Sequence, residues 1–356
     1  MNGVANGLES SGRKASGKMP AVPVPIFDES SYLKAMRDRR GSAKIYAMYS
    51  SVIGGIVTDT NLMSVPIDDH LVHRGHAVFD TCSLFNGNLY RVDIHLDRFL
   101  KSAATARIAH KWTKDDLRSI IQQTAAASGK KTANLRYWMG AGVGGFALHP
   151  AECQSASLYV VVWGSHPAHS AGEETLDLRQ GEGIREFTVS VPMKPKLLAT
   201  MKSNNYLLNA LMSMESTEKG GRYGILTYDG KLAEAAVCCV GVLTKDKEFL
   251  TPPFDCILAG TTVRRCMDIC RDMCASGELK DVRQQEVPLD TVYQAEELLM
   301  LSGDWHVESI VELDGRPIGT GQPGPLAKRV RDTIMREANE GTHDCHPVPY
   351  HLYSRQ

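Results

Sequence analysis

The stretch MKPKLLATMKSNNYLLNALMSMESTEKGGRYGILTYDGKLAEAAVCCVG, residues 193–241, decides how this chain is interpreted. An apolar run leads to Lys202, which precedes a predicted helix. The segment YGILTYD then predicts a strand that enters a DG turn. A single acid, Glu234, follows inside the otherwise uncharged segment LAEAAVCCVGVL. An unpaired carboxylate would be costly in such an apolar strand, so Glu234 needs a cation or a hydrogen-bond donor unless it points to water.

The helix that follows Lys202 has recognisable ends. Ser203 or Asn204 can cap its beginning, and Gly220 and Gly221 end it. Apolar residues recur at helical spacing and predict its buried face. These residues are Leu207, Leu211 and Met214.

Lys202 is a candidate amine nucleophile. A lysine held against an apolar wall loses part of its preference for the charged form and can then attack a carbonyl carbon. An ordinary solvated lysine is the alternative. Lys194 and Lys196 lie close in sequence, so local pattern alone does not choose among the three.

The segment MKSNNYLLNALMSMESTEKGGRYGILTYDGKLAE resembles the signature region of the fold-type IV pyridoxal-phosphate enzymes. These are the branched-chain aminotransferases, the D-amino acid aminotransferases and the aminodeoxychorismate lyases. The resemblance implies that Lys202 is the Schiff-base lysine and that Glu234 faces the pyridine nitrogen of pyridoxal 5'-phosphate. It also implies an α+β fold of two domains with the cofactor between them.

A second block, FDTCSLFNGNLYRVDIHLDRFL, contains a hairpin and a helix. Asn86-Gly87 is a strong signal for a two-residue hairpin turn, and Asp93 begins the predicted helix. Arg98 lies off the apolar face of that helix, so spacing alone favours a solvated arginine. The resemblance implies instead that Arg98 holds the cofactor phosphate, for which a guanidinium is well shaped.

The block TPPFDCILAGTTVRR resembles the glycine turn and helix start that bind the cofactor phosphate in this family. The matching donors are Thr261 and Thr262, and simple capping of the helix is the alternative interpretation. By the same resemblance, Tyr206 is expected to hydrogen-bond the hydroxyl of the cofactor.

Three residues are expected on the substrate side. Arg136 matches an arginine of the branched-chain enzymes that faces substrate, and Ser302 with Gly303 match a turn that presents backbone N–H groups. The chain departs from the family pattern at several positions, and these departures motivate a non-catalytic descendant of the fold as an alternative. The departures are Cys239, Val263 and Asp304.

Two groups of residues could suggest a metal ion. The groups are Cys266, Cys270 and Cys274, four positions apart, and His70, His73 and His76, three positions apart. The cysteines are interpreted as small buried hydrophobes on one helix face. The family that the chain resembles has no metal at the histidine segment. We therefore expect no metal site.

Composition narrows the class of protein. The chain has 356 residues, enough for two domains, and a net charge of −1, which argues against a nucleic-acid partner. Its nine cysteines lack paired C-x-x-C spacing and indicate reduced thiols. No stretch is long and apolar enough to span a membrane. We expect a cytoplasmic protein, with a plastid as the alternative because the first residues include Ser, Lys and Arg.

The expected domain organisation has five parts. Residues 1–28, rich in Gly, Ser, Ala and Pro, are predicted to be a disordered tail. Residues 29–170 form a small α+β domain, and the interdomain linker lies in 171–185. Residues 186–336 form a larger α/β domain that carries the Schiff-base lysine. Residues 337–356 are a C-terminal tail.

The expected activity is transamination between an amino acid and a 2-oxo acid. Tyr206 lies four residues after Lys202, the spacing of the D-amino acid enzymes and the lyases. The chain also resembles plant-type D-amino acid aminotransferases overall, and the two features together imply a D-amino acid such as D-alanine as the donor. The alternatives are an aminodeoxychorismate lyase, which forms 4-aminobenzoate and pyruvate, and a branched-chain aminotransferase. The resemblance also implies a homodimer.

Overall fold

A computed structural model describes residues 24–40, 44–164, 182–303 and 307–353. The chain divides into two compact units, Met1–Gly41 and Ser42–Gln356. The described part of the first unit contains one helix, and all other elements belong to the second. No helix of the described chain has both the length and the apolar character required to cross a bilayer.

Helices and strands alternate irregularly along the described chain. The helices are α1 (Glu29–Arg40), α2 (His70–His73), α3 (Val92–Thr105), α4 (Lys114–Ser128), α5 (Lys196–Ala199), α6 (Leu207–Glu218), α7 (Thr261–Ala275), α8 (Leu289–Tyr293) and α9 (Pro325–Glu340). The strands are β1 (Ile45–Ser50), β2 (Gly55–Val57), β3 (Ala77–Phe85), β4 (Asn88–Leu89), β5 (Ala133–Gly140), β6 (Ser157–Trp163), β7 (Ile184–Glu186), β8 (Thr188–Val189), β9 (Ile225–Tyr228), β10 (Lys231–Ala235), β11 (Cys238–Leu243), β12 (Glu248–Thr251), β13 (Asp281–Gln284), β14 (Glu297–Ser302), β15 (Val307–Leu313), β16 (Arg316–Pro317) and β17 (His346–Pro347).

The first sheet has the strand order β17-β4-β3-β5-β6-β1-β2 and is antiparallel throughout. The predicted hairpin is present, because Asn86 and Gly87 have positive φ angles of 48° and 79° between β3 and β4. Helices α3 and α4 bury apolar residues against this sheet, including Phe99 and Leu117. Thr113 begins α4 with a reciprocal capping box to Asp116, as its sequence predicts.

Two further sheets form the rest of the second unit. One has the order β13-β12-β11-β14-β15-β16, with β7 pairing with β15, and the other has the order β10-β9-β8. Helices α7 and α9 contribute buried residues such as Cys266 and Val330 to the core beside these strands. The described chain beyond residue 337 includes the end of α9 and strand β17, which pairs with β4 of the first sheet.

The segment that carries Lys202 is held against the beginning of β3. The Phe79 N–H donates to the Lys202 carbonyl at 2.9 Å, and the Asn204 N–H donates to the Ala77 carbonyl at 2.9 Å. Val78 and Ser203 form an isolated bridge between these two hydrogen bonds. The backbone of Lys202 is therefore fixed by the first sheet, although its own helix lies beside other strands.

Helix α6 differs from its prediction at its start. Its N-cap residue is Tyr206, without a side-chain cap, so the helix begins later than Ser203 or Asn204 would place it. Ser203 is engaged in the bridge to β3, and Asn204 donates its backbone N–H there. Pairing with β3 therefore overrides the local capping signal.

The predicted buried face of α6 is also wrong. Leu207, Leu211 and Met214 are 71%, 39% and 58% exposed. The buried residues of α6 are instead Asn209, Met212 and Ser216. Two of these are polar and form tertiary hydrogen bonds: Asn209 Nδ2 donates to the Ala236 carbonyl at 2.5 Å, and Ser216 Oγ donates to Glu186 at 2.8 Å. The apolar stripe consequently marks the outward face of α6.

The domain boundaries remain a prediction. Most of the predicted linker, 171–181, lies outside the described residues, as do residues 1–23 of the predicted N-terminal tail. Strand β7 begins within the remaining part of the linker, at Ile184.

Candidate active site

One cavity of about 280 Å³ gathers seven of the nine residues that the sequence nominated. The seven are Arg98, Arg136, Lys202, Tyr206, Glu234, Ser302 and Gly303. The other two, Thr261 and Thr262, follow the cavity residue Gly260 at the start of α7. The cavity is close to the smaller end of the range for ligand pockets, which suits a compact ligand.

Lys202 lies half-buried in this cavity between two aromatic rings. Its Nζ is 4.5 Å from the centre of the Phe79 ring and donates a long hydrogen bond of 3.4 Å to the Tyr206 hydroxyl. Phe79 and Tyr206 pack edge to face at 5.0 Å. Burial raises the pKa of Tyr206 to about 12, with Lys194 opposing the shift and Glu234 adding to it. The Tyr206 hydroxyl therefore keeps its proton near neutral pH.

Glu234 is buried at 5% exposure on β10, which excludes an edge-strand glutamate that points to water. The cation that its burial demands is Lys194, whose Nζ lies 3.2 Å from Glu234 Oε1. Each of the two side chains is only 7% exposed. The Lys194 Nζ also lies 5.2 Å from the centre of the Tyr206 ring.

The other two lysines of this segment therefore differ sharply. Lys194 is buried and lines the cavity. Lys196 is exposed, with 68% of its side chain accessible, and pairs with Asp255 at 3.0 Å. The structure thus removes Lys196 from the candidates for chemistry and leaves two amines, Lys194 and Lys202, in one cavity.

Arg98 is not the solvated arginine that its helical spacing favours. Its side chain is 12% exposed and forms a two-pronged pair with Asp80, with Nε and Nη2 at 2.8 and 2.7 Å from the two carboxylate oxygens. The buried ring of His95 lies 3.0 Å from the same carboxylate through Nδ1. Burial alone would raise the pKa of Asp80, but Arg98 and His95 reverse that effect and hold the pKa well below its usual range.

The start of α7 fits a phosphate group. Its N-cap, Gly260, offers no side-chain cap, so the first N–H groups of this 15-residue helix are open to an acceptor. Within the described chain, the buried Thr261 Oγ1 has no hydrogen-bond partner, whereas Thr262 Oγ1 donates to the Ser302 carbonyl. A Cβ at Gly260 would come within 2.6 Å of Cys239 Sγ, which explains the glycine.

Arg136 lies on β5 directly opposite Thr81 of β3. Its Nε donates to Thr81 Oγ1 at 3.0 Å, and its guanidinium carbon lies 5.3 Å from the Phe79 ring and 5.1 Å from the Trp163 ring. Two aromatic rings and one hydroxyl thus hold the guanidinium at the cavity, where it can accept an anion.

The last strand of the site is β14, which ends at Ser302. The buried Ser302 Oγ has no partner within the described chain, and Gly303 follows at the cavity. Of the departures from the family pattern, Val263 is a core residue of α7. Cys239 is buried with its thiol donating to the Leu258 carbonyl at 3.3 Å, and burial raises its pKa to about 12. Asp304 lies outside the described residues.

A larger cleft of about 680 Å³ shares Arg98 and Leu258 with this cavity. Its lining is basic and includes Arg91 and Arg264, but it contains neither Lys202 nor Glu234. We assign the site to the smaller cavity, because reactive groups and not volume define an active site.

Sequence reasoning missed two residues of the site. Asp80, fully buried beside Arg98, could have been suspected as a lone acid in the apolar run AVFDTCSLF. In the sequence, Lys194 is only an alternative to Lys202 as the reactive lysine. No spacing pattern indicates that it pairs with Glu234. Both omissions concern partners that are brought together by tertiary packing.

The assembled groups can perform a definite kind of chemistry. An amine, Lys202, can bond to a carbonyl carbon, and a buried carboxylate, Glu234, can stabilise a positive charge beside it. Arg98 and the start of α7 can hold a phosphate. Together they suit a phosphorylated aldehyde whose ring contains a basic nitrogen.

Comparison with known proteins agrees with this chemistry. The family model for amino-transferase class IV matches residues 77–313. A chloroplastic D-amino-acid transaminase of Arabidopsis thaliana is 36% identical over 89% of this chain and 83% of its own length. A putative branched-chain-amino-acid aminotransferase of Methanocaldococcus jannaschii is 25% identical over 79% of this chain and 93% of its own length.

The fold is found in solved structures of the same family. A branched-chain amino acid aminotransferase of Escherichia coli has a TM-score of 0.73 at 20% identity, covering 86% of this chain and 100% of that one. Another structure of such an enzyme, solved with pyridoxamine 5'-phosphate, has a TM-score of 0.74 at 22% identity, covering 84% of this chain and 95% of that one. The predicted α+β, fold-type IV class is confirmed. The predicted cofactor, pyridoxal 5'-phosphate, is confirmed as well.

The family match extends over more than half of the chain, and the Arabidopsis relative is well above 30% identity along most of both sequences. The chain therefore belongs to the class IV aminotransferases, which are pyridoxal-phosphate-dependent enzymes.

Proposed function

We propose that this protein is a D-amino acid transaminase that moves an amino group from a donor such as D-alanine to a 2-oxo acid. One observation carries the proposal: Lys202 and the buried acid Glu234 line the same cavity. The choice of a D-amino acid is supported by the 36% identity to the Arabidopsis D-amino-acid transaminase, against 25% to the branched-chain relative.

The residues of the cavity suit the cofactor. Lys202 would hold it covalently through Nζ, Arg98 with the start of α7 would bind its phosphate, and Glu234 would face its ring nitrogen. When bound, pyridoxal phosphate supplies an electron sink that lowers the barrier to removing a proton from the substrate carbon. The unpartnered Thr261 Oγ1 and the uncapped N-terminus of α7 are the features of this chain that support the fit.

Lys202 has two roles in this proposal. Besides holding the cofactor, the Lys202 amine would accept the proton that leaves the substrate Cα and would later donate it back. The Tyr206 hydroxyl, 3.4 Å from this Nζ and still protonated because its pKa is about 12, orients the amine and can hydrogen-bond the cofactor hydroxyl. Phe79 and Tyr206 cover the amine with their rings and restrict water.

Substrate binding is assigned to Arg136, Ser302 and Gly303. The fixed guanidinium of Arg136 would pair with a substrate carboxylate, and a two-pronged pair would also orient the Cα–H bond. The Ser302 Oγ, without a partner in the described chain, and the backbone at Gly303 would complete this side of the site.

A homodimer is part of the proposal. The outward stripe of α6, formed by Leu207, Leu211 and Met214, exposes apolar surface that a second copy of the chain would cover. Light scattering coupled to size-exclusion chromatography should give twice the mass of 39.1 kDa. A charged substitution such as Met214→Glu should shift the protein towards the monomer.

We propose a plastid as the cellular location, on the basis of one relative. The Arabidopsis transaminase is named chloroplastic, and this supports a plastid over the cytoplasm that the sequence favours. Expression of the full chain with a C-terminal fluorescent protein in plant cells distinguishes plastid from cytoplasmic fluorescence.

A branched-chain aminotransferase is the second candidate. It is favoured by Arg136, which matches an arginine of those enzymes, and by the Methanocaldococcus relative. A panel of donors separates the two: the proposal expects turnover of D-alanine with 2-oxoglutarate, and L-leucine or L-valine turnover without D-alanine turnover would replace it. Release of 4-aminobenzoate from aminodeoxychorismate would indicate the lyase.

Borohydride trapping tests the role of Lys202. Purified protein with cofactor should absorb in the visible range, and reduction followed by peptide mapping should place the label on Lys202. Lys202→Ala should lose both the covalent label and turnover. A label on Lys194 would contradict the assignment, and Lys196→Ala is a matched control because that lysine is exposed. Absence of any label would favour a non-catalytic descendant.

A further inference from the structure

The acid proposed to face the cofactor already has a cation of its own chain. Lys194 Nζ lies 3.2 Å from Glu234 Oε1, and both side chains are 7% exposed. The two residues line the same cavity as Lys202. A buried ion pair of this kind is costly to form and more costly to break by removing one partner. The activity of the enzyme does not by itself explain why a second buried lysine is present.

The geometry leaves room for a second cation on the same carboxylate. Lys194 contacts Oε1, and a carboxylate offers further lone pairs on its other oxygen. The Lys194 amine lies 5.2 Å from the centre of the Tyr206 ring. Tyr206 also accepts the hydrogen bond from Lys202, so both amines border one aromatic ring.

We propose that Lys194 is a positioning residue that holds the buried Glu234 carboxylate in the cavity through their ion pair, and that it competes with the ring nitrogen of the cofactor for that carboxylate. This inference rests on the proposed function, in which Glu234 faces the ring nitrogen. Before the cofactor binds, Lys194 is the cation paired with Glu234. After binding, two cations share one carboxylate, so each is held less strongly than it would be alone.

If Lys194 and the ring nitrogen compete for Glu234, loss of Lys194 changes cofactor affinity in a direction that loss of a packing contact would not. Without Lys194 the apo protein contains an uncompensated buried carboxylate and is less stable. The protonated ring nitrogen then supplies the missing cation, so ligand binding gains more than in the natural protein. Loss of Lys194 should therefore weaken the apo protein and tighten the cofactor. A residue that contacts the phosphate or the substrate would weaken ligand binding when lost.

Pyridoxamine 5'-phosphate is the appropriate probe, because it cannot bond covalently to Lys202 and reports the other contacts alone. Lys194→Met keeps the length of the side chain and removes its charge. We expect the thermal midpoint of the apo protein to fall, and the dissociation constant of pyridoxamine 5'-phosphate, measured by calorimetry, to fall by about tenfold. Lys196→Met, which removes an exposed lysine two positions away, should change neither quantity.

An analogue of the probe with carbon in place of the ring nitrogen identifies the source of the gain. Lys194→Met should not bind this analogue more tightly than the natural protein does, because the analogue carries no ring cation. In the double variant Lys194→Met/Glu234→Gln the tighter binding of pyridoxamine 5'-phosphate should disappear. If Lys194→Met fails to fold, Lys194→Gln tests the same direction with a smaller expected gain, since its amide can still donate to Glu234.

The outcomes separate this inference from the proposed function. If Lys194→Met and Lys194→Gln bind pyridoxamine 5'-phosphate no more tightly than the natural protein, the competition is refuted. If Glu234→Gln binds it as tightly as the natural protein, and the carbon analogue also binds normally, Glu234 does not face the ring nitrogen and the proposed role of Glu234 fails first. Tighter binding confined to the nitrogen-containing probe supports both.

Discussion

Two buried ion pairs border the cavity, and they are built differently. Arg98 meets Asp80 through two contacts of 2.7 and 2.8 Å, and His95 adds a third contact at 3.0 Å. Lys194 meets Glu234 through one contact of 3.2 Å. The first pair fixes a planar guanidinium in one orientation, whereas the second holds an ammonium that can turn about its flexible stem.

This difference matches the tasks proposed for the two pairs. The guanidinium of Arg98 would bind the phosphate in an orientation that Asp80 fixes beforehand. The cofactor can bind without breaking the contacts between Arg98 and Asp80. A ring nitrogen must gain access to a carboxylate, and a single contact with Lys194 leaves that carboxylate able to exchange partners. The Arg98–Asp80 pair is therefore the rigid one, and the Lys194–Glu234 pair is the one that can rearrange.

The largest effect is expected from Arg98→Ala, because it leaves the fully buried Asp80 without its cation. Removing one partner of such a pair costs about 3–5 kcal/mol of unfolding free energy. Urea unfolding of the apo protein measures it. The double variant Asp80→Asn/Arg98→Ala should recover much of the loss while cofactor binding stays weak. Equal stability of the single and double variants would show that Asp80 does not depend on Arg98.

Glu234→Gln should act on turnover. Glutamine keeps the size and hydrogen-bonding ability of the side chain but removes the charge that stabilises the ring cation in the transition state. We expect kcat with D-alanine and 2-oxoglutarate to fall about 10²-fold, equivalent to about 2.7 kcal/mol. The covalent label on Lys202 should persist. Near-normal turnover would mean that the second pair has no part in catalysis.

Asp80→Asn should reveal the pH dependence of the first pair. The folded-state pKa of Asp80 lies below its ordinary value of 3.8, so its stabilisation is fully present above that value and is lost as the pH falls towards the lowered one. The natural protein should exceed the variant by about 2 kcal/mol at neutral pH. The urea midpoints of the two proteins should begin to approach each other only below pH 3.8 and should differ least at the lowest pH at which both remain folded. A difference that does not change with pH would assign the effect to packing.

The smallest effect is expected from Tyr206→Phe. The variant keeps the edge-to-face contact with Phe79 and loses only the hydroxyl that accepts from Lys202. A long hydrogen bond of this kind contributes about 0.5–1.5 kcal/mol at most, so kcat should fall by no more than about tenfold. Steady-state kinetics measures it. A loss approaching that of Glu234→Gln would make the hydroxyl a direct participant in proton transfer.

Local features of this protein were predictable from the sequence because neighbouring residues determine them. Asn86-Gly87 predicted the hairpin because both residues tolerate positive φ angles, and Thr113 predicted the start of α4 because its side chain reaches the N–H group three residues on. The order of the family motifs identified the fold class and the cofactor. These inferences required no knowledge of what packs against each element.

The sequence by itself thus determined the family, the local turns and caps, and the candidate residues Lys202 and Glu234. Only the tertiary structure decided which face of α6 is buried, that Arg98 is held by Asp80, and that Glu234 is paired with Lys194. The physical reason is the same in each case. A helical pattern records which residues share a face, but burial and ion pairing depend on side chains from distant segments that packing brings within a few ångströms.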